Sequence, residues 1–244
     1  MLRYIHKLIF GMKQKGAKQE DRQQDTRRLT ESLSENVETF KGQHGGSGDV
    51  IVREFTFGFG TRGALIYIDG LINTQTLNEC ILRPLMIDSR LLMPHEKADI
   101  DAVRAKLLTN GETTLTDDIA KLTSGYLNGD AVLLMDGQTQ GLVINCKGWE
   151  KRSITEPETE AVVRGPREGF TENIRMNTAL LRRKIKDTSL IFETTQVGEK
   201  THTPVSIAYL QNVANPEIIQ MVRERIEHIK IDSVLESGYI EQYI

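Results

Sequence analysis

Alternation of apolar and polar positions predicts six short strands. Residues 49–57 carry Val50, Val52, Phe55 and Phe57 in an imperfect two-residue period, and residues 64–68 form a short apolar run; both patterns are typical of strands. Four later segments have the same character, and the first two of them flank Asp136-Gly137, a strong signal for a hairpin. These later strands are expected at 131–135, 141–146, 190–197 and 205–210.

Helical spacing of apolar residues predicts the remaining elements, at 29–40, 74–91, 99–108, 117–123, 171–185 and 217–229. Pro84 should kink or divide the second helix, because proline removes a backbone donor and clashes with the preceding turn. In the last helix the expected buried side is Ile218, Val222, Ile226 and Ile229.

The helix at 171–185 has two adjacent rows of side chains. Its expected buried stripe is Ile174, Thr178, Leu181 and Ile185. A basic row of Arg175, Arg182 and Lys186 falls beside that stripe. At 100° per residue, Arg182 and Lys186 each lie within about 20° of Arg175 around the helix.

Together these elements predict an α/β protein with two small α/β subdomains and mixed sheets. Regular periodicity is lost from Lys147 to Gly169, where Pro157, Pro166 and several acidic residues favour a connecting segment. The predicted division is a flexible basic lead with a short helix at 1–44, a first subdomain at 45–150 and a second at 151–244.

Composition excludes several classes of protein. The chain has 244 residues, a formal net charge of −3 and 39% hydrophobic residues, which is ordinary for a globular protein. No clustered basic surface favours nucleic-acid binding, and no apolar run approaches the roughly 18 residues of a membrane span. Cys80 and Cys146 lie far apart and in different kinds of segment, so both are interpreted as reduced thiols.

The first 28 residues differ in charge from the rest of the chain. Eight basic and three acidic residues give them a local charge of +5, which leaves −8 for the other 216. Leu2, Ile5 and Ile9 recur at helical spacing, so the start of the chain can form a basic amphipathic helix that rests on anionic lipid. A solvated, disordered terminus is the alternative.

One glycine pattern imitates a nucleotide site. Gly58, Gly60 and Gly63 match the dinucleotide fingerprint letter for letter. However, a β pattern follows Gly63, so no helix N-terminus is present to stabilise a pyrophosphate. We therefore expect a connection between two strands, with the glycines in a turn or bulge.

The densest constellation of charged and flexible residues runs directly into the helix at 171–185. Two glycines, two arginines and Thr171 as the expected N-cap would together hold an anion. The alternative is structural, with the arginines paired to neighbouring carboxylates and the glycines forming turns. The candidate ligand or subunit contacts are Arg164, Gly165, Pro166, Arg167, Glu168, Gly169, Phe170, Thr171, Asn173 and Arg175.

Catalytic patterns are absent from the sequence. The five histidines are scattered, with no His-Glu-x-x-His motif and no Cys/His cluster. The chain is therefore predicted not to be an enzyme and to have no cofactor and no metal, although a triad assembled from distant residues stays open.

Three segments resemble the GerA family, the A subunits of bacterial spore germinant receptors. The most distinctive is the run from Ala161 to Ile185, and the other two are Ile68-Asp69-Gly70-Leu71 and the segment from Ile231 to Gln242. The similarity extends from about residue 49 to the C-terminus, whereas the N-terminal tether has no diagnostic pattern.

The resemblance implies a membrane receptor. Family members continue past the last segment into a multi-spanning half, so this chain would be the N-terminal domain, on the cytoplasmic or core side of the spore inner membrane. The implied partners are an integral-membrane B subunit, a lipoprotein C subunit and further A subunits. The resemblance therefore predicts receptor assembly and coupling of nutrient sensing to the membrane half. The alternative is direct binding of a small nutrient or anion at Arg164–Thr171. Neither the germinant nor the stoichiometry follows from the sequence.

Overall fold

The computed structural model describes residues 27–93, 99–109, 111–148, 169–234 and 236–243. The described residues form two sheets, and the α/β class is confirmed. A five-stranded sheet has the order β1-β2-β4-β5-β3, and β6 and β7 form a separate two-stranded sheet. The strands are β1 (Val50–Thr56), β2 (Arg62–Ile68), β3 (Thr113–Thr116), β4 (Ala131–Met135), β5 (Gly141–Ile144), β6 (Leu190–Val197) and β7 (Thr203–Leu210).

Every described strand pair is antiparallel, whereas mixed sheets were expected. The reason is the connections. Short loops join β1 to β2, β4 to β5 and β6 to β7, and such hairpins produce antiparallel neighbours. The loop between β1 and β2 contains Gly58 and Gly60, so the expectation of a strand connection is confirmed.

Seven helices surround the sheets in the described part of the chain. The second helix, residues 74–92, contains two π-helical pieces, Leu77–Leu82 and Pro84–Asp88, between α-helical pieces at Thr74–Thr76 and Ser89–Leu92. Pro84 does not break this helix, because the wider turns continue through it. The helices are α1 (Leu33–Gln43), α2 (74–92), α3 (Ile100–Lys106), α4 (Ile119–Leu127), α5 (Ile174–Lys184), α6 (Pro216–Glu227) and α7 (Ser237–Glu241).

The five-stranded sheet is buried on both faces. Leu65 and Leu133 point into an apolar cluster with α2 and α3, while Ile66 and Val132 point into a second cluster with α1 and α4. Side chains alternate between faces along a strand. Strands covered on both faces are therefore apolar throughout, which explains the continuous apolar runs at 64–68 and 131–135.

The helix α1 packs against this sheet. It begins at Leu33 with Ser32 as its N-cap, four residues later than the sequence indicated. Leu33, Val37 and Phe40 are buried in the second cluster. Residues 27–44 therefore pack with the five-stranded sheet, and the remainder of the predicted lead, residues 1–26, lies outside the described residues. We call residues 27–148, as described, the five-stranded unit.

The described residues from 169 onward form the two-stranded unit. Its own apolar cluster is small and consists of Val197, Ile226, Ile229 and Val234. Ile218, which the sequence placed on the buried side of α6, is 50% exposed, because no described element covers that end of the helix. No described helix is both long enough and apolar enough to cross a bilayer.

Candidate functional site

The start of α5 carries the described half of the candidate segment. The helix begins at Ile174, and its N-cap is Asn173 instead of Thr171. The Asn173 side-chain oxygen accepts hydrogen bonds from the backbone N–H groups of Arg175 at 3.0 Å and Met176 at 3.3 Å. Asparagine is as strong a cap as any residue, and threonine is slightly weaker.

Thr171 has a different role from the one expected. Its backbone N–H donates to the Asn177 side-chain oxygen at 2.7 Å, and the Asn177 amide donates back to the Thr171 carbonyl at 2.7 Å. This pair of hydrogen bonds ties the entering chain to the first turn of α5. Gly169 precedes it, and the side chain of Phe170 is 69% exposed. The other candidates, Arg164, Gly165, Pro166, Arg167 and Glu168, lie outside the described residues.

Two segments that carry the family resemblance meet beside this turn. Arg175 forms an ion pair with Asp69, which follows β2. Gly70 has a φ of +83°, and a Cβ there would lie 3.0 Å from the Ala179 Cβ. Glycine therefore permits both the left-handed backbone and the close approach of α5.

Arg182, about two turns beyond Arg175 along α5, is fully buried. Its Nε donates to Asp49 Oδ2 at 2.8 Å, and one terminal nitrogen donates to Asp49 Oδ1 at 2.9 Å. The guanidinium also donates to the Asp187 and Leu190 carbonyls, each at 2.8 Å. The Phe192 ring lies 5.2 Å from its carbon centre. Bidentate geometry and extra acceptors are what a buried ion pair requires.

The basic row predicted for this helix therefore faces the five-stranded unit, although its third member, Lys186, lies beyond the end of α5 at Lys184. Arg175 pairs with Asp69, Arg182 pairs with Asp49, and Lys186 donates to Asn128 at 2.6 Å. All three acceptors belong to the five-stranded unit. The predicted row is correct in composition, but it is a contact surface, and the buried residues of α5 include Arg182 itself, with Ala179 and Leu180. The predicted buried stripe is only half-buried.

Sequence reasoning missed the acceptors of this contact. The Ser47 hydroxyl donates to Asp49 at 2.6 Å and accepts from the Phe192 backbone N–H at 2.9 Å. The Gly48 N–H donates to the Phe192 carbonyl at 2.9 Å. The only sign of these acceptors in the sequence was the polar residues Ser47 and Asp49 just before β1, and such residues are equally typical of a solvated loop.

A buried histidine lies beside the ion pair. His44 Nε2 is 2.7 Å from the Tyr126 hydroxyl. Burial and, second, the positive charge of Arg182 lower the pKa of His44 to about 4. Burial raises the pKa of Tyr126. Both groups are therefore neutral near pH 7, which suits a low-dielectric contact.

The third family-like segment contributes to a groove beside the N-terminus of α5. The groove has a volume of about 1030 Å³ and is lined by α5, β7 and the segment leading into α7. Elsewhere, the ranges described contain no group of three or more His, Cys, Asp or Glu residues able to hold a metal ion.

Comparison with known proteins identifies relatives. The family model described as Bacillus/Clostridium GerA spore germination protein matches residues 38–244. The chain is 38% identical over 219 residues to the uncharacterized membrane protein YfkQ of Bacillus subtilis (strain 168), covering 89% of this chain and 42% of the relative. It is 37% identical over 218 residues to spore germination protein KA of the same organism, covering 88% and 40%. The chain thus spans about two fifths of the length of these curated relatives.

A solved structure has the same fold. The N-terminal domain of the A subunit of the Bacillus megaterium spore germinant receptor GerK3 matches with a TM-score of 0.68 and 30% sequence identity. The match covers 89% of this chain and 79% of that chain.

Proposed function

Because this chain belongs to the GerA spore germination family, we propose that it contributes to receptor assembly and couples nutrient sensing to the membrane half of the receptor. The resemblance to the A-subunit N-terminal domain is confirmed by the family match and by the GerK3 structure. A role in germinant receptor function follows from the family. The specific role in coupling and assembly is our proposal.

The observation that carries the proposal is the polar contact between α5 and the five-stranded unit. Arg182 and Asp49 are 0% and 6% exposed at their side chains, so their separation would leave a buried, unpaired charge. Relative motion of the two units is therefore resisted at this point. A displacement imposed on one unit by a neighbouring subunit would be passed to the other.

Arg175 and Asp69 supply the more exposed end of the same contact. Their side chains are 49% and 38% exposed, so a neighbouring subunit can reach them. Charged groups at such a position fix the orientation of an association more than its strength.

The proposed setting of this domain is the core side of the spore inner membrane. The proposed partners are the integral-membrane B subunit, the lipoprotein C subunit and further A subunits. In support, one relative is named a membrane protein and others are named spore germination proteins. The absence of enzymatic activity and of a cofactor stays a prediction.

Direct nutrient binding at Arg164–Thr171 is the second candidate. The observation in its favour is that Thr171 and Glu172 line the groove beside α5, whose volume suits a small ligand. Heteronuclear NMR titration with amino acids, sugars and nucleosides tests it. Saturable shifts confined to Gly169, Thr171 and Asn173 would support it, and their absence would favour the coupling role alone.

The coupling role is tested in spores that carry the full-length receptor. Arg175→Glu and Asp69→Arg should each slow nutrient-triggered germination without lowering receptor abundance, and the double variant should restore part of the rate because the pair is re-formed with opposite polarity. Lys184→Glu, exposed on the same helix, is the control. If both single variants germinate as fast as the parent, the proposal is contradicted.

A further inference from the structure

The groove beside α5 combines an apolar floor with an acidic rim, and we call it the acidic groove. Among the described residues that line it, none is basic. Its apolar lining residues are Ile174, Pro204, Val205, Val234 and Ile240, and its acidic ones are Glu172, Glu236 and Glu241.

The three carboxylates are exposed, and no described residue forms an ion pair with any of them. In the floor, Pro204 is exposed, Ile174, Val205 and Ile240 are half-buried, and Val234 is buried. An apolar cleft with a few polar groups around it is the usual form of a binding site. The rim selects for positive charge, so the matching occupant is an amphipathic cation.

This chain contains a segment of that chemistry. Residues 1–12 carry Leu2, Ile5 and Ile9 at helical spacing, with Arg3 and Lys7 between them. In a helix the three apolar side chains lie within about 60° of one another and span about 10 Å. The segment lies outside the described residues and also outside the family match, which begins at residue 38.

The connecting chain is long enough to reach the acidic groove. Residues 13–26 reach at most about 46 Å when extended. Arg27 lies in a pocket with Lys186 and Thr188, just beyond the C-terminal end of α5. The groove lies at the other end of α5, and a helix of 11 residues is about 16 Å long. The tether therefore spans the distance with slack.

We propose that residues 1–12 bind in the acidic groove of the same chain as a short amphipathic helix. Leu2, Ile5 and Ile9 cover the apolar floor, and the positive charge of the segment is attracted by the rim. Bound in this way, the segment occupies the surface where α5 and α7 meet and withholds it from any other ligand. The inference is independent of the proposed coupling role, because it concerns a different face of α5.

Methyl NMR on the complete 244-residue chain tests this inference. The variant Ile5→Asp/Ile9→Asp removes two anchors, and it should shift the methyl signals of Ile174, Val205, Val234 and Ile240 while leaving the β2 and β4 methyls unchanged. In the same variant, trypsin cleavage after Lys7 should become about tenfold faster, because local protection is lost.

The matched control is Gln14→Asp/Gln19→Asp, which makes the same charge change in the tether. It should leave the groove signals in place. The triple variant Glu172→Gln/Glu236→Gln/Glu241→Gln should reproduce the faster cleavage without any change to the N-terminus. Groove signals that depend on protein concentration would show that the segment binds a second copy instead of its own chain, and this result would overturn the proposal.

Two other results would also overturn it. The first is identical groove signals in the parent and Ile5→Asp/Ile9→Asp. The second is protection of Lys7 only when phosphatidylglycerol vesicles are added, since the segment would then bind lipid and not the groove.

Discussion

The two units of this protein are stabilised differently. The described five-stranded unit has an apolar cluster on each face of its sheet, with 18 and 15 buried residues, one of the 15 being Ala179 of α5, whereas the cluster within the two-stranded unit has four. A two-stranded sheet alone is marginally stable. The comparison teaches that the second unit depends on its attachment to the first.

That attachment includes several polar contacts. Among the described residues of the two-stranded unit, Ala179 of α5 is the one that joins the apolar cluster of α1 and α4. Around it stand the Arg182–Asp49 pair, the Arg175–Asp69 pair and the backbone bonds of Phe192. Polar contacts are directional, so they fix the relative position of the units more strictly than an apolar surface would.

The largest expected effect is the loss of Arg182. Arg182→Ala leaves Asp49 buried without its partner, and we expect the free energy of unfolding to fall by about 3–5 kcal/mol. Hydrogen exchange should accelerate first in β6 and β7. Denaturant unfolding measures the total, and Lys184→Ala should stay within about 0.5 kcal/mol of the parent. Equal losses in both variants would show that the buried pair does not hold the units together.

Truncation of a core side chain should increase hydrogen exchange over a wider region in the five-stranded unit than in the two-stranded unit. Ile66→Ala and Ile226→Ala each remove buried apolar volume and should each destabilise by about 2–4 kcal/mol where they act. Ile66→Ala should increase exchange throughout the described chain, whereas Ile226→Ala should increase it only in the two-stranded unit. Exchange that rises everywhere in both variants would mean that the units unfold together and would remove the distinction.

The pH dependence of stability tests the interior of the contact. The pKa of His44 falls from 6.5 to about 4 on folding, so the unfolded chain binds the proton more strongly. The contribution of neutral, buried His44 to the free energy of unfolding is fully present above about pH 6.5. It is lost as the pH falls toward 4, and the loss amounts to up to about 3 kcal/mol.

The variant His44→Gln should flatten this slope between pH 6.5 and 4, measured by denaturant unfolding at each pH. The substitution His228→Gln, at an exposed position, is the control. An unchanged slope in His44→Gln would assign the acid sensitivity to other groups.

The smallest expected effect concerns the helix caps. Asn173→Ala removes the cap of α5 and should lower the free energy of unfolding by about 1 kcal/mol. Asn215→Ala removes the matching cap of α6. Thermal unfolding of both variants compares a helix at the contact with one outside it. A larger loss for Asn215→Ala would place the weaker point of the second unit away from the contact.

Much of the fold was predictable because the signals were local. Asp136-Gly137 between apolar runs predicted the β4–β5 hairpin, and the β pattern after Gly63 excluded a dinucleotide site. The strand β3 was missed, because Thr113–Thr116 is mostly polar and only its pairing with β5 makes it a strand. Ile218 was wrongly predicted to be buried, because helical periodicity identifies a face of the helix but not how far a packing partner extends along it.

The candidate site was predictable only in part. The sequence proposed candidate contacts up to Arg175 and predicted a basic row along the helix. It did not indicate Asp49, Ser47 or His44, which lie more than 120 residues away along the chain.

The sequence by itself determined the local elements, the two hairpin turns and the family, because spacing and turn chemistry act over a few residues. Only the tertiary structure decided which way the basic row faces. A guanidinium is stable either in water or beside a buried carboxylate, and the choice depends on whether folding brings Asp49 to Arg182. The same holds for the acidic groove, whose walls come from three separate stretches of the chain.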